Sequence, residues 1–374
     1  MANLSDIARL AGVSLATVSR VVNGTARVAP EKRERILKAM RETGFQPVES
    51  AKAFYKQPSS LIGYVIPSLH NLFLNEIGTA LEEAAQEKGY QVVVCDSGRE
   101  PKREWDYIRL LSEINADGIV ITANNDEMEE EIRRCRLPVV VVDRKAGREY
   151  EASVSSDNYL GGQLAAEHLV DCGCKRLVHL RGPQLYSSGQ MRFQGYMDVC
   201  RKWNLEPRFL DCGYDFESGL ACAPHILERF PDTDGILCSS DMTALSVYKY
   251  LSGKGIRVPE DIMLVGFDGV RLGRLMTPEL TTVVQPARRM GREAFSLLQE
   301  LIQGAGPRNL QKTVPVAFRQ GETTRRKEEM LNETSVFDCA GQLRYWSGSR
   351  RSGIRRPGQQ YPGGLLPQRL FRGS

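Results

Sequence analysis

Two hydrophobic rhythms divide this chain. In residues 6–23, DIARLAGVSLATVSRVVN, the side chains Ile7, Ala8, Ala11, Val13, Val18 and Val21 recur near helical spacing and can share one small apolar face. Gly12 supplies a tight turn between two short helices. Ser14 stands where the second helix needs a cap. A third helix is predicted from about Pro30 to Thr43, with Gly44 as its C-terminal stop. From Leu61 the rhythm changes to short runs rich in β-branched residues: LIGYVI (61–66), QVVVC (91–95), GIVIT (118–122), PVVVVD (138–143), RLVHL (176–180), GILC (235–238) and IMLVGF (262–267). Amphipathic stretches of helix length follow most of them, at 72–88, 101–114, 158–172, 190–203, 216–229 and 241–253.

The first rhythm is that of a helix-turn-helix, whose second helix would present Leu15, Ala16, Thr17, Ser19 and Arg20 to a major groove. A small helical hairpin without a DNA role is the plainer reading. The second rhythm is that of an α/β fold. Strands apolar throughout imply doubly wound parallel sheets covered on both faces. The units form two series, one on each side of about residue 155, and two such lobes would face each other across a cleft at the C-terminal strand ends. Between head and body lies FQPVESAKAFYKQPSS, broken by Pro47 and Pro58. Its centre has too little apolar surface for a stable isolated helix, which suits a linker that folds on meeting DNA. The expected organisation is therefore a head at 1–45, a hinge at 46–60, a two-lobed body at 61–324 and a tail at 325–374.

Charge sharpens this division. The formal net charge is only +4, but residues 1–60 hold 10 Lys and Arg against 5 Asp and Glu, and residues 325–374 hold 10 against 4, so the long middle is acidic. A basic head attracts phosphates, and an acidic body is no nucleic-acid surface. The tail, with SGSRRSGIRRPGQQYPGG, has no apolar periodicity. Its expected state is a disordered basic extension, in keeping with a frameshifted gene end; a second DNA-binding arm is the other reading. MANLSDIARL is polar and patterned from residue 3, unlike a signal peptide, and no apolar run approaches about 20 residues. Nine scattered cysteines, mostly within apolar runs, suit a reducing cytoplasm.

Several chemistries fit poorly. His168, Cys172, Cys174 and His179 resemble a metal cluster, but Cys-x-Cys is tighter than common zinc spacing, so no metal is expected. Gly161-Gly162 and GFDG do not make a dinucleotide fingerprint, and no G-x-S-x-G elbow is present. No cofactor and no enzymatic activity are expected. A doubly wound enzyme acting on a sugar phosphate would need a poised nucleophile or base, and none stands out. A cytoplasmic solute-binding module without a DNA role would leave the basic head unexplained.

Over residues 2–324 the chain resembles the LacI/GalR family of bacterial transcription regulators. The residues that carry the resemblance are DIARLAGVSLATVSRVVNG, LIGYVIP, SDNYLGG (156–162), MRFQGY (191–196), SSDMTAL (239–245), VPEDIMLVGFDG (258–269) and LTTVVQP (280–286). Within the family it is most similar to ribose-type and purine-type repressors. The resemblance implies a body of periplasmic-binding-protein type, a homodimer, a pseudo-palindromic double-stranded operator as partner, and a small-molecule effector.

It also implies roles for particular residues. Leu15, Ala16 and Arg20 would touch base edges, with Arg20 able to make two parallel bonds to guanine. Thr17, Ser19 and Asn23 would meet phosphates. Phe54 would wedge into the minor groove, or else pack on the body. Asn71, Phe73, Asp143, Arg144, Arg192, Phe216, Asp241, Asp268 and Gln285 would line the effector cleft. Asp241 could instead cap its helix, and Asp268 could serve only its own turn. The adjacent acceptor and donor of Asp143-Arg144 match vicinal hydroxyls, which favours a sugar such as ribose over a purine.

Overall fold

Ile7, Val18 and Ile36 meet at the fully buried centre of a three-helix head. It is built from α1 (Leu4–Ala11), α2 (Leu15–Asn23) and α3 (Pro30–Thr43). The computed structural model describes residues 4–23, 28–43, 59–123, 135, 137–144, 152–304 and 310–325. Ala8, Ala11, Ala39 and Met40 complete the small core, with Val13 and Val21 packed at its margin. The local signals act as the sequence suggests. Gly12 takes a left-handed φ of 60°, and Ser14 Oγ accepts the Thr17 backbone N–H at 3.2 Å, capping α2.

The body holds two six-stranded sheets among the described residues. The first comprises β1 (Leu61–Ile66), β2 (Gln91–Asp96), β3 (Gly118–Ile121), β4 (Val139–Val142), β5 (Ala152–Ser156) and β11 (Leu310–Val314), in the order β11-β5-β4-β3-β1-β2 and parallel throughout. The second comprises β6 (Leu177–Arg181), β7 (Arg208–Asp211), β8 (Gly235–Cys238), β9 (Met263–Asp268), β10 (Thr281–Val284) and β12 (Ala317–Arg319), in the order β12-β10-β9-β8-β6-β7. Only β12 runs antiparallel within it. The order reverses between β1 and β3 and again between β6 and β8, so each lobe has a topological switch point where a ligand crevice opens.

Helices α4 (Leu72–Gln86) and α5 (Pro101–Glu113) cover the first sheet, and α6 (Asn158–Asp171), α7 (Ser187–Trp203), α8 (Phe216–Arg229) and α9 (Asp241–Gly253) the second. Helix α10 (Ala287–Ile302) packs on α4, β3, β4 and β5, so it belongs to the first lobe. Met290, Ala294, Phe295, Leu297 and Leu298 are buried there with Ile62, Leu74 and Ile77.

The expected division into one series on each side of residue 155 is therefore incomplete. The chain leaves the first lobe near Asp157, returns after Gln285, and leaves again after Val314. Strands β5, β7, β10, β11 and β12 also lie outside the apolar runs, because sheet pairing tolerates polar side chains that find partners. In β5, ASVSS, the serines are buried and Ser156 Oγ lies 3.2 Å from Met290 Sδ. Conversely, β2 stands at a sheet edge, and Val93 and Val94 are exposed despite their apolar run. No helix among the described residues is long and apolar enough to cross a membrane.

Candidate functional site

In the head, α2 turns Val18 inward and leaves Leu15, Ala16 and Arg20 exposed together on its outer side. Thr17 is half-buried and tied to Ser14, with the two hydroxyl oxygens 2.8 Å apart. Ser19 is half-buried. The side chain of Asn23, Phe54 and most of the hinge lie outside the described residues, as does the tail from residue 326.

The body brings a second group together from strand ends of both lobes. Asp143 follows β4 in a left-handed conformation, φ 66°. Its Oδ1 is buried without a hydrogen-bond partner. Burial pushes its carboxyl above the usual range, opposed by the neighbouring Arg144 and Arg192 guanidiniums. Arg144 reaches into the other lobe: Nη1 donates to Ser188 Oγ at 2.8 Å, and the guanidinium lies 3.6 Å from the centroid of the Tyr186 ring. Arg192, on α7, donates Nε to Asn158 Oδ1 at 2.7 Å and Nη1 to the Ser239 carbonyl at 2.6 Å, and stacks 3.7 Å from the centroid of Phe267. Its Nη1 is 3.9 Å from Asp268 Oδ1.

Asp268 ends β9 with φ 126°, and its Oδ1 accepts Gln285 Nε2 at 2.7 Å. Burial raises the Asp268 carboxyl well above its usual range, with Arg192 and the Gln285 bond opposing and Asp241 and Asp143 adding to it. Gln285 Oε1 is buried without a partner. Asn71 caps α4, accepting the Phe73 and Leu74 N–H groups, and lines the cleft beside Asp143, Arg144, Tyr186 and Tyr214. That inner chamber holds about 80 Å³. A wider outer cavity of about 700 Å³ adjoins it and is lined in part by Phe216, Arg99 and Asp215.

Residues 3–48 match "Bacterial regulatory proteins, lacI family", and residues 166–324 match "Periplasmic binding protein-like domain". A ribose operon repressor from Halalkalibacterium halodurans is 32% identical over 332 residues, covering 89% of this chain and 100% of the relative. The chain belongs to the lacI family. The HTH-type transcriptional repressor PurR of Vibrio atlanticus is 31% identical over 309 residues, 81% of this chain and 92% of that protein. Among solved structures, the lac repressor dimer bound to operator and the anti-inducer ONPF matches with a TM-score of 0.67 and 26% identity, covering 86% of this chain and 98% of that one.

Two expected cleft residues of this lacI-family chain have structural partners instead. Phe73 sits in the first turn of α4 and points into the first-lobe core, 3% exposed. Asp241 is fully buried: it accepts Thr282 Oγ1 at 2.6 Å and the Val270 N–H at 2.8 Å, bracing β9 against β10. Burial raises its carboxyl to about 6, against the pull of those two bonds. The cap of α9 is Ser240, which accepts the Thr243 N–H.

Tyr186, Ser188, Tyr214 and Asn158 join the cleft without having been singled out in the sequence. Only Asn158 lay in a quoted motif, SDNYLGG. Gly162 of that motif and Gly195 of MRFQGY serve helix packing: a Cβ at Gly162 would collide with the Arg192 carbonyl, and one at Gly195 with the Tyr159 carbonyl. The close approach of α6 and α7 is what sets Arg192 beside Asn158.

Of the four Cys and His residues of metal-like spacing, His168 and Cys172 stay together, with Cys172 Sγ 3.5 Å from His168 Nε2, whereas Cys174 and His179 have other neighbours. His168 Nε2 meets Thr324 Oγ1 at 2.8 Å, Cys174 Sγ lies against the Asp234 carbonyl, and His179 packs between Phe193 and Tyr196. Burial, with Arg192 and Arg181 nearby, lowers His179 to about 3.

Proposed function

We propose that this chain is a transcriptional repressor in which residues 1–45 read an operator, residues 46–60 form the hinge and residues 61–324 bind a small effector and dimerise. Two copies would place paired heads on a pseudo-palindromic site. Leu15, Ala16 and Arg20 would meet base edges, Thr17, Ser19 and Asn23 the phosphates, and Phe54 the minor groove. In this reading the chain is a cytoplasmic regulator rather than an enzyme, and needs neither metal nor cofactor.

The effector is a polyhydroxy ring, with ribose or another pentose favoured. One observation carries this: Asp143 Oδ1 and Gln285 Oε1 are both buried acceptors without a donor, in a cleft where Arg144 and Arg192 supply guanidinium donors. A buried unpaired acceptor costs about 1–3 kcal/mol, which a ligand hydroxyl would recover. The relationship to a ribose operon repressor supports the same class. Asn71 would complete the ring's surroundings, with Phe216 facing the outer cavity and Asp268 acting through Gln285 and Arg192. A purine is the second reading, favoured by the stacked rings of Tyr186 and Tyr214, whose centroids are 6.5 Å apart. Against it, Arg144 already covers the Tyr186 face.

Ligand binding between the lobes would shift their relative tilt, and with it operator affinity, by no more than its differential affinity for the two states. Calorimetry on the full chain with ribose, other pentoses, hypoxanthine and guanine tests the effector. Binding of a pentose that Asp143→Ala abolishes, with unchanged operator affinity in the variant, is the expected result. Tight purine binding with no response to any sugar overturns the effector class. Titration of an operator library with and without the bound ligand tests the regulatory reading and gives the sign of its effect.

A further inference from the structure

Arg99 and Asp215 belong to different lobes, yet Arg99 Nη1 lies 2.7 Å from Asp215 Oδ2. Both ends are held in place. Arg99 follows β2 in a left-handed conformation, φ 63°, directly after Gly98 at φ 62°. Asp96 Oδ1 fixes that turn by accepting the Gly98 N–H at 2.8 Å. On the other side, Asp215 caps α8 with Oδ1, accepting the Ser218 N–H at 2.8 Å, which leaves Oδ2 for the arginine. Burial alone would raise the Asp215 carboxyl, but the Ser218 bonds and Arg99 outweigh it and hold it below its usual range. Arg99 borders both the inner chamber, of about 80 Å³, and the outer cavity of about 700 Å³.

We propose that the Arg99–Asp215 pair is a cross-lobe gate between the two compartments, and that it sets the length of the effector. The inference rests on the cleft being the effector site. A single ring held by Asp143 and Arg144 can be enclosed behind the pair. A glycoside carrying a bulky substituent must project into the outer cavity and part Arg99 from Asp215. The pair thus selects a free monosaccharide over its glycosides. Because Arg99 is about half exposed, the preference is modest, about two- to fivefold.

The test uses the full chain with Asp215→Asn, which keeps a capping oxygen, together with Arg99→Gln and Arg99→Lys. Hydrogen exchange is followed at residues 96–100 and 213–219 without ligand. The gate requires transmission across the cleft: Arg99→Gln speeds exchange at 213–219, Asp215→Asn speeds it at 96–100, and Arg99→Lys restores it. Added salt has the same effect on the parent chain and little on the two uncoupled variants. Exchange that stays unchanged in the opposite lobe overturns the gate, whatever the cleft binds. The second arm compares ribose with methyl riboside and adenosine by calorimetry. The ratio of affinities should fall about two- to fivefold in both uncoupled variants. A ratio that does not move overturns the selectivity. If the parent chain binds none of these compounds, the effector reading itself fails, and the exchange arm still decides whether the pair joins the lobes.

Discussion

Gln285 donates a hydrogen bond from Nε2 to Asp268 Oδ1 and keeps its own Oε1 buried with no donor. It stands where the chain passes from β10 of the second lobe toward α10 of the first. A ligand hydroxyl that bonds Oε1 therefore touches the connection between the lobes as well as the cleft. Gln285→Leu removes both functions of the amide. Effector affinity should fall by about 1–3 kcal/mol, as for a lost buried hydrogen bond. Operator affinity without effector should stay the same. Calorimetry and a filter-binding titration check the two halves, and an unchanged effector affinity would remove Gln285 from the site.

Arg20 projects from α2 beside Leu15 and Ala16, opposite the buried Val18. Arg20→Ala should cost about 1–3 kcal/mol at one operator position and relax the base preference there, as for a bidentate guanine contact. Selection from a randomised operator library reads this directly. A uniform loss over all sequences would make Arg20 a phosphate contact.

Gly162→Ala places a methyl group against the Arg192 carbonyl, a backbone atom that cannot swing aside. Helices α6 and α7 must separate. The expected destabilisation is about 1–3 kcal/mol, and effector binding should weaken with it because Arg192 moves with α7. Gly253→Ala is the control, since a Cβ there meets nothing within 4 Å. Urea midpoints of the two variants should differ clearly.

Asp241 gives a pH signature. Its carboxyl stands at about 6 in the folded chain, above its usual 3.8. Between those values the folded state holds a proton that the unfolded state has released, so stability rises as the pH falls through this window and is lost again as it rises. Asp241→Asn has no such proton to take up. The stability advantage of the parent chain over this variant should therefore grow from pH 7 to pH 4.5 in denaturant titrations. A constant difference would mean that Asp241 is ionised throughout.

Much of the fold was legible because its signals are local. Gly12, Ser14 and the spacing of Ile7 to Val18 lie within a few residues of one another, and turn, cap and apolar face agree without reference to the rest of the chain. The same holds for most of the apolar β-branched runs, which become strands at nearly the expected bounds. The buried serine strand β5 was not legible, since hydrophobicity cannot report a side chain whose burial depends on a partner such as Met290. Nor was the inward turn of Phe73, because the first turn of a helix after a strand can aim an aromatic at cleft or core with equal ease.

By itself, then, the sequence determined the three-helix head, the α/β alternation of the body, and the residue types at the strand ends. Tertiary structure decided which of those ends meet. It returned α10 and β11 to the first lobe, set Arg144 against Ser188 and Tyr186, and brought Arg99 to Asp215 over 116 residues of chain. The physical reason is that periodicity encodes which face of an element is buried, whereas the partner on that face follows from sheet order and from where the chain crosses between lobes.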